Sequence, residues 1–166
     1  MGAENDLVGI DKNFITDSII GLAVGIGLIV LSSITPWIGV IGIPYIQISV
    51  AGTIGKYLII IVVASIAETI FFQEFVLNFF DEKLKDFGIN PNYFVAALLS
   101  STSFALFHFV AYSGSLSAAG GSFLSAGIAG MVFCYERKWT KSLITPMVTH
   151  AVINFWIMTS LMVVIA

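Results

Sequence analysis

Five stretches of this chain are apolar over lengths near the roughly 20 residues that a helix needs to cross a bilayer. They cover residues 18–34, 57–80, 94–112, 122–135 and 143–165. Thr35-Pro36-Trp37 closes the first, and Glu68, Gln73 and Glu74 interrupt the second. Residues 38–55 carry no charge but are broken by Gly39, Gly42, Pro44, Gly52 and Gly55. That stretch reads as a re-entrant or interfacial segment, with a sixth span as the alternative. The expected fold class is therefore all-α: a polytopic transmembrane helical bundle of about five spans. An N-terminal part, residues 1–56, would hold a cytoplasmic segment, the first span and the broken stretch. Residues 57–166 would form a core of four spans.

Charge supports the same class. Charged residues make up 10% of the chain, whereas soluble domains carry about 25%. The net charge is -3 and there is no basic run, so nucleic acid is not an expected partner and the lipid bilayer is. The single cysteine, Cys134, rules out an internal disulfide and a multi-cysteine metal cluster. It reads as a small buried hydrophobe. Residues 1–17 are acidic, with Glu4, Asp6, Asp11 and Asp17 against Lys12, which is the wrong sign for a signal peptide. With five spans, Lys12, Lys83, Lys85, Arg137, Lys138 and Lys141 share one side and Lys56 lies opposite. Positive charge favours the cytoplasm, which puts loops 81–93 and 136–142 inside and the C-terminus outside a cell membrane. Trp37, Trp139 and Tyr135 sit near span ends, where aromatic rings anchor at the interface.

Ser122, Ala126 and Gly130 lie four apart, as do Gly21 and Gly25. Small residues at this spacing let helices approach closely in membranes, so both sets read as packing faces.

An ionisable side chain inside a span is costly and marks a functional hypothesis. Counting a rise of about 1.5 Å per residue from the inner span ends, Glu68 lies about 18 Å deep, His108 about 21 Å, Asn154 about 16 Å and His150 about 10 Å. His150 and Asn154 are four apart and share a helix face, as do Phe104 and His108. Three helices thus offer polar groups within one slab. Glu74 lies nearer the interface and reads as structural.

Three chemistries suit the set. A carboxylate with an imidazole can activate water as a general base, while a second imidazole and a carboxamide donate to a developing oxyanion. Alternatively, Glu68, His108 and His150 are a zinc ligand set with water as fourth ligand. Two histidines on separate helices could also ligate a haem iron, but that would leave Glu68 and Asn154 without a role.

The motifs resemble the CPBP family of intramembrane proteases, the CAAX-processing and bacteriocin-processing group related to the type II CAAX prenyl endopeptidase. That family carries E-E-x-x-x-R, F-x-x-x-H and H-x-x-x-N/B. Here the matching segments are Glu68-Thr69-Ile70-Phe71-Phe72-Gln73, Phe104-Ala105-Leu106-Phe107-His108 and His150-Ala151-Val152-Ile153-Asn154. Gly127, Gly130, Tyr135-Glu136-Arg137, Ser142-Leu143 and Pro146 also stand where the family has similar residues. The likeness runs from Tyr57 to Phe155.

This resemblance implies an intramembrane endopeptidase acting on a membrane-associated or prenylated peptide or protein. It implies that Glu68 and His108 activate the water, and that His150 and Asn154 stabilise the oxyanion. A metal-dependent form of the mechanism would place a divalent metal, zinc, on Glu68, His108 and His150. The first motif departs from the pattern, with Thr69 at its second glutamate and Gln73 at its arginine. Positions 69 and 73 are i and i+4, so a neutral hydrogen-bonding pair is expected in place of an ion pair, with Glu68 retained. The alternative reading is a catalytically inactive membrane subunit or scaffold, packed against a partner membrane protein or a second copy of the chain.

Overall fold

The computed structural model describes residues 13–34, 59–88, 93–111 and 116–165. The broken stretch 38–55, with its re-entrant or sixth-span reading, lies outside the described residues. Within them the chain forms helices and no strand. Helix α1 is Phe14–Ile34, α3 is Tyr93–Ala111, α4 is Leu116–Thr140 and α5 is Ile144–Ile165. Helix α2 runs unbroken through residues 59–86 as four successive segments, Ile59–Ala64, Ser65–Thr69, Ile70–Val76 and Leu77–Asp86. An all-helical solution follows from the apolar runs, since in lipid every backbone N–H and C=O must find its partner within the segment.

Two connections are shorter than the sequence predicts. The expected loop at residues 81–93 begins later, because α2 continues to Asp86. Ion pairs of Lys85 with Asp81 and of Lys83 with Asp86 support that last polar turn. Gly88, at φ 68°, then takes the left-handed conformation that ends a helix, and its N–H bonds to the Lys85 carbonyl. The expected loop at 136–142 shrinks likewise, since α4 runs to Thr140 and α5 starts at Ile144. Lys141, at φ 57°, makes the sharp turn between them, and the Ser142 hydroxyl accepts the N–H of Ile144.

Phe14–Leu31, Ile61–Asp86 and Tyr93–Val110 are long and apolar enough to cross a membrane, and Ile144–Ile157 is a shorter apolar stretch within α5. Helix α4 contains the fourth expected span and is rich in Gly, Ser and Ala over its first half.

The described helices alternate in direction. Ser100 on α3 bonds to the Phe72 carbonyl while Glu68 faces His108, so α2 and α3 are antiparallel. Gly130 approaches Ser101 and Gly127 approaches Ala105, so α3 and α4 are antiparallel. The same holds for α4 and α5, where Glu136 meets Thr149 and Phe133 meets His150. Helix α1 runs parallel to α5, with Gly21 on Thr145 and Val148 and Gly25 on Thr149 and Val152.

The small-residue faces pack as their spacing predicts. Ser122 and Ala126 are buried, and Gly130 sits so close to α3 that a Cβ there would stand 3.1 Å from the Ser101 Cα. Gly21 is tighter, since a Cβ would lie 2.5 Å from the Thr145 carbonyl oxygen and 2.9 Å from the Val148 Cβ. Backbone atoms cannot yield as a flexible side chain can. Gly21→Val is therefore expected to lower the thermal stability of the detergent-solubilised protein by about 1–3 kcal/mol, the usual cost of overpacking. Gly27→Ala is the control, since a Cβ at Gly27 meets nothing within 4 Å. Equal melting temperatures for the two variants would remove the close α1–α5 contact.

Candidate active site

Three polar residues of α2 that face the bundle centre, Ser65, Glu68 and Thr69, stand at i, i+3 and i+4 and share one helical face. A turn of α-helix holds them, and the backbone on both sides is wound more widely as π-helix, a form that recurs at functional sites. Helix α3 brings His108 and α5 brings His150 and Asn154.

These residues converge as the sequence predicts. The Glu68 Oε2 lies 3.8 Å from the His108 Nε2 and 3.6 Å from the His150 Nε2. Both separations exceed a direct hydrogen bond and suit groups that meet through a water molecule. The Asn154 Nδ2 donates to the Ser65 Oγ at 3.0 Å, and the Ser65 hydroxyl donates in turn to the Ile61 carbonyl. The Glu68 side chain is 23% exposed, His108 18% and His150 5%. The site is thus open on the side of Glu68 and His108 and closed behind His150.

Each imidazole is held by its surroundings. The His108 Nδ1 donates to the Phe104 carbonyl one turn back, at 3.0 Å. A carbonyl can only accept, so the neutral ring carries its proton on Nδ1 and turns the Nε2 lone pair toward Glu68. Phe104 stands between the two histidines, edge-on to His108 at 4.3 Å and to His150 at 5.8 Å between ring centroids. Phe133 stacks on His150 at 5.0 Å. With Phe72, these phenylalanines form the buried apolar floor of the site.

The first-motif positions behave differently from the expected mutual pair. Among the described residues no hydrogen bond joins Thr69 to Gln73. The Thr69 Oγ1 instead lies 3.4 Å from the His150 Nδ1. Gln73 is buried and accepts from the Cys134 thiol at 2.9 Å, so Cys134 is buried as expected and also serves as a donor. The physical reason is that both side chains point into the bundle, where groups on α5 and α4 stand within hydrogen-bonding reach. Each polar group then finds a partner on another helix. A positive charge does approach this region, but from α4: the Nη2 and Nε of Arg137 bond to the Glu74 Oε2 at 2.9 and 3.3 Å. That pair accounts for Glu74 as a structural residue.

Sequence reasoning passed over Ser65, Phe72 and Phe133. Ser65 was within reach, as a polar residue three before Glu68 in an apolar run. Phe133 carries no such signal, because nothing local distinguishes it from other apolar residues of α4. Also unforeseen is buried Glu136, whose Oε1 accepts from the Thr149 hydroxyl at 2.6 Å and whose Oε2 has no hydrogen-bond partner among the described residues. Thr149 precedes His150 in sequence, so this bond ties α4 to the helix that carries the histidine.

Among the described residues no group of three or more His, Cys, Asp or Glu side chains is arranged to hold a metal ion. The Oε2–Nε2 separations are also wider than the roughly 3.3 Å between ligands of a tetrahedral zinc with 2.0–2.1 Å bonds.

A known family matches this chain. The Rce1-like family, described as Type II CAAX prenyl endopeptidase Rce1-like, matches residues 50–156. The chain belongs to that family. The match spans α2 through the first half of α5 and so includes Glu68, His108, His150 and Asn154. It makes the protein a CAAX-type membrane protease by family and its substrate a peptide or protein at the membrane. No curated protein and no solved structure matches the chain.

Proposed function

We propose that this protein is an intramembrane endopeptidase that hydrolyses a peptide bond of a membrane-associated or prenylated substrate through water activated by Glu68 and His108. The observation that carries this reading is the convergence of one carboxylate and two Nε2 atoms from three helices, with Asn154 one turn beyond His150. Water between Glu68 and the His108 Nε2 loses a proton to this pair as its oxygen attacks the peptide carbonyl carbon. His150 and Asn154 donate hydrogen bonds to the oxyanion that forms. The C–N bond then breaks as the same proton passes to the leaving nitrogen. The proton in transit is held by Glu68 and His108, and the water's second hydrogen stays on the oxygen that joins the new carboxyl group. The polar ends of α2 and α4, with Lys83, Lys85, Arg137 and Lys138, face the cytoplasm by the positive-inside rule.

The test is cleavage of a farnesylated CAAX peptide, and separately of a bacteriocin leader peptide, by the purified chain in liposomes. Cleavage is expected to fall about 10²–10³-fold in Asn154→Ala, the typical cost of one lost oxyanion donor. Rates are expected to be unchanged by a chelator. If cleavage requires added zinc, Glu68, His108 and His150 act as metal ligands instead of as water-activating and oxyanion-binding groups. A folded chain that cleaves no peptide of either class and co-purifies with another membrane protein would favour the scaffold reading.

A further inference from the structure

His108 and His150 face the same carboxylate through Nε2, but their Nδ1 atoms are held by different partners. At His108 the partner is a backbone carbonyl, which fixes the proton on Nδ1. At His150 the partner is the Thr69 hydroxyl, which can donate or accept.

We propose that Thr69 is a positioning residue for His150, its hydroxyl donating to Nδ1 so that the neutral ring keeps its proton on Nε2 and aims that N–H at the reacting centre. The inference rests on the hydrolytic reading and adds the residue that assigns the two histidines opposite tautomers.

Three observations lead to it. The His150 Nε2 looks at a carboxylate oxygen, which only accepts when ionised, and among the described residues no carbonyl claims a hydrogen on its Nδ1 as Phe104 does at His108, so the favoured neutral ring carries its hydrogen on Nε2. Nδ1 then has a lone pair and requires a donor. Among the serines and threonines of these helices, Ser65, Ser101, Thr102 and Ser103 give their hydroxyl hydrogen to the carbonyl four residues back. Thr69 has its hydrogen bond to the His150 ring instead. The bond is long at 3.4 Å, as catalytic-site bonds often are before substrate tightens them.

The residue type matters at this position. A carboxylate at 69, as the resemblance would have it, accepts only, so both ring nitrogens of His150 would need hydrogens and the ring would have to be charged. A hydroxyl lets the ring stay neutral and still donate from Nε2. A hydrogen on Nε2 also leaves that atom without a lone pair for a metal. Thus His108 serves as acceptor toward the water and His150 as donor toward the oxyanion, although both present the same atom.

The chain has two histidines, so a nitrogen-15 NMR spectrum of histidine-labelled protein in nanodiscs reads both tautomers directly. His108→Ala assigns the remaining signals to His150. The expected result is Nδ1–H at His108 and Nε2–H at His150 in the wild type. In Thr69→Val the His150 signals are expected to move toward the Nδ1–H form, and in Thr69→Ser to return to the wild-type pattern. Cleavage should follow the spectrum: kcat about 10–100-fold lower in Thr69→Val with KM little changed, and recovered in Thr69→Ser. A wild-type His150 protonated on Nδ1, or a Thr69→Val spectrum identical to wild type, would overturn the assignment. The spectrum is read without any substrate, so absence of cleavage would count against the hydrolytic reading alone.

Discussion

Glu68→Gln is expected to lower peptide cleavage by about 10²–10⁴-fold, the range for loss of a positioned general base, while leaving the bundle folded. Glutamine keeps the size of the side chain and its capacity to hydrogen-bond, so Glu68 at 23% exposure can be replaced without a cavity. It cannot take up a proton from water. KM should change little, because the substituted group acts on the water and not on substrate binding. Residues that act as one unit are strongly non-additive, so adding His108→Ala to Glu68→Gln should cost much less than His108→Ala costs alone. Glu68→Gln should also retain uncleaved substrate, which makes it the trap for finding natural substrates in host membranes by co-purification with wild type as the comparison. Full turnover in Glu68→Gln would end the water-activation role.

The second large effect is expected on stability. Gln73→Arg restores the arginine of the family's first motif and should destabilise the protein by roughly 3–5 kcal/mol, as an uncompensated buried charge does. Gln73 is 1% exposed, and its contact is the Cys134 thiol. The neighbouring carboxylate, Glu74, is already held by Arg137. The end of α2 lies thirteen residues on, about 20 Å at the helical rise, too far for an arginine to reach. Gln73→Met keeps the volume and removes the charge problem, so it should cost less than about 1.5 kcal/mol. Thermal unfolding in detergent separates the two. An arginine tolerated at wild-type stability would mean that a carboxylate other than Glu74 reaches position 73.

Much of the fold was legible in the chain. Apolar runs of near-membrane length leave helices as the only solution, and spacings of four between small residues mark where helices touch. Gly21 and Gly130 lie at such contacts. Helix ends were less legible, because Asp81, Lys83, Lys85 and Asp86 look like loop residues but pair across a turn and prolong α2.

The site divides in the same way. Residue type picked out Glu68, His108 and His150, because ionisable groups are costly in an apolar run and stand out, whereas buried Glu136, expected in a loop, was missed. Their depth along each helix follows from simple counting. Tertiary structure alone decided which atoms meet. Helix packing brings Thr69 to His150 and Gln73 to Cys134, and it sets Phe104 and Phe133 against the imidazoles. Such contacts depend on helix rotation and register between segments distant in sequence, and those are fixed by packing rather than by any local pattern of residues.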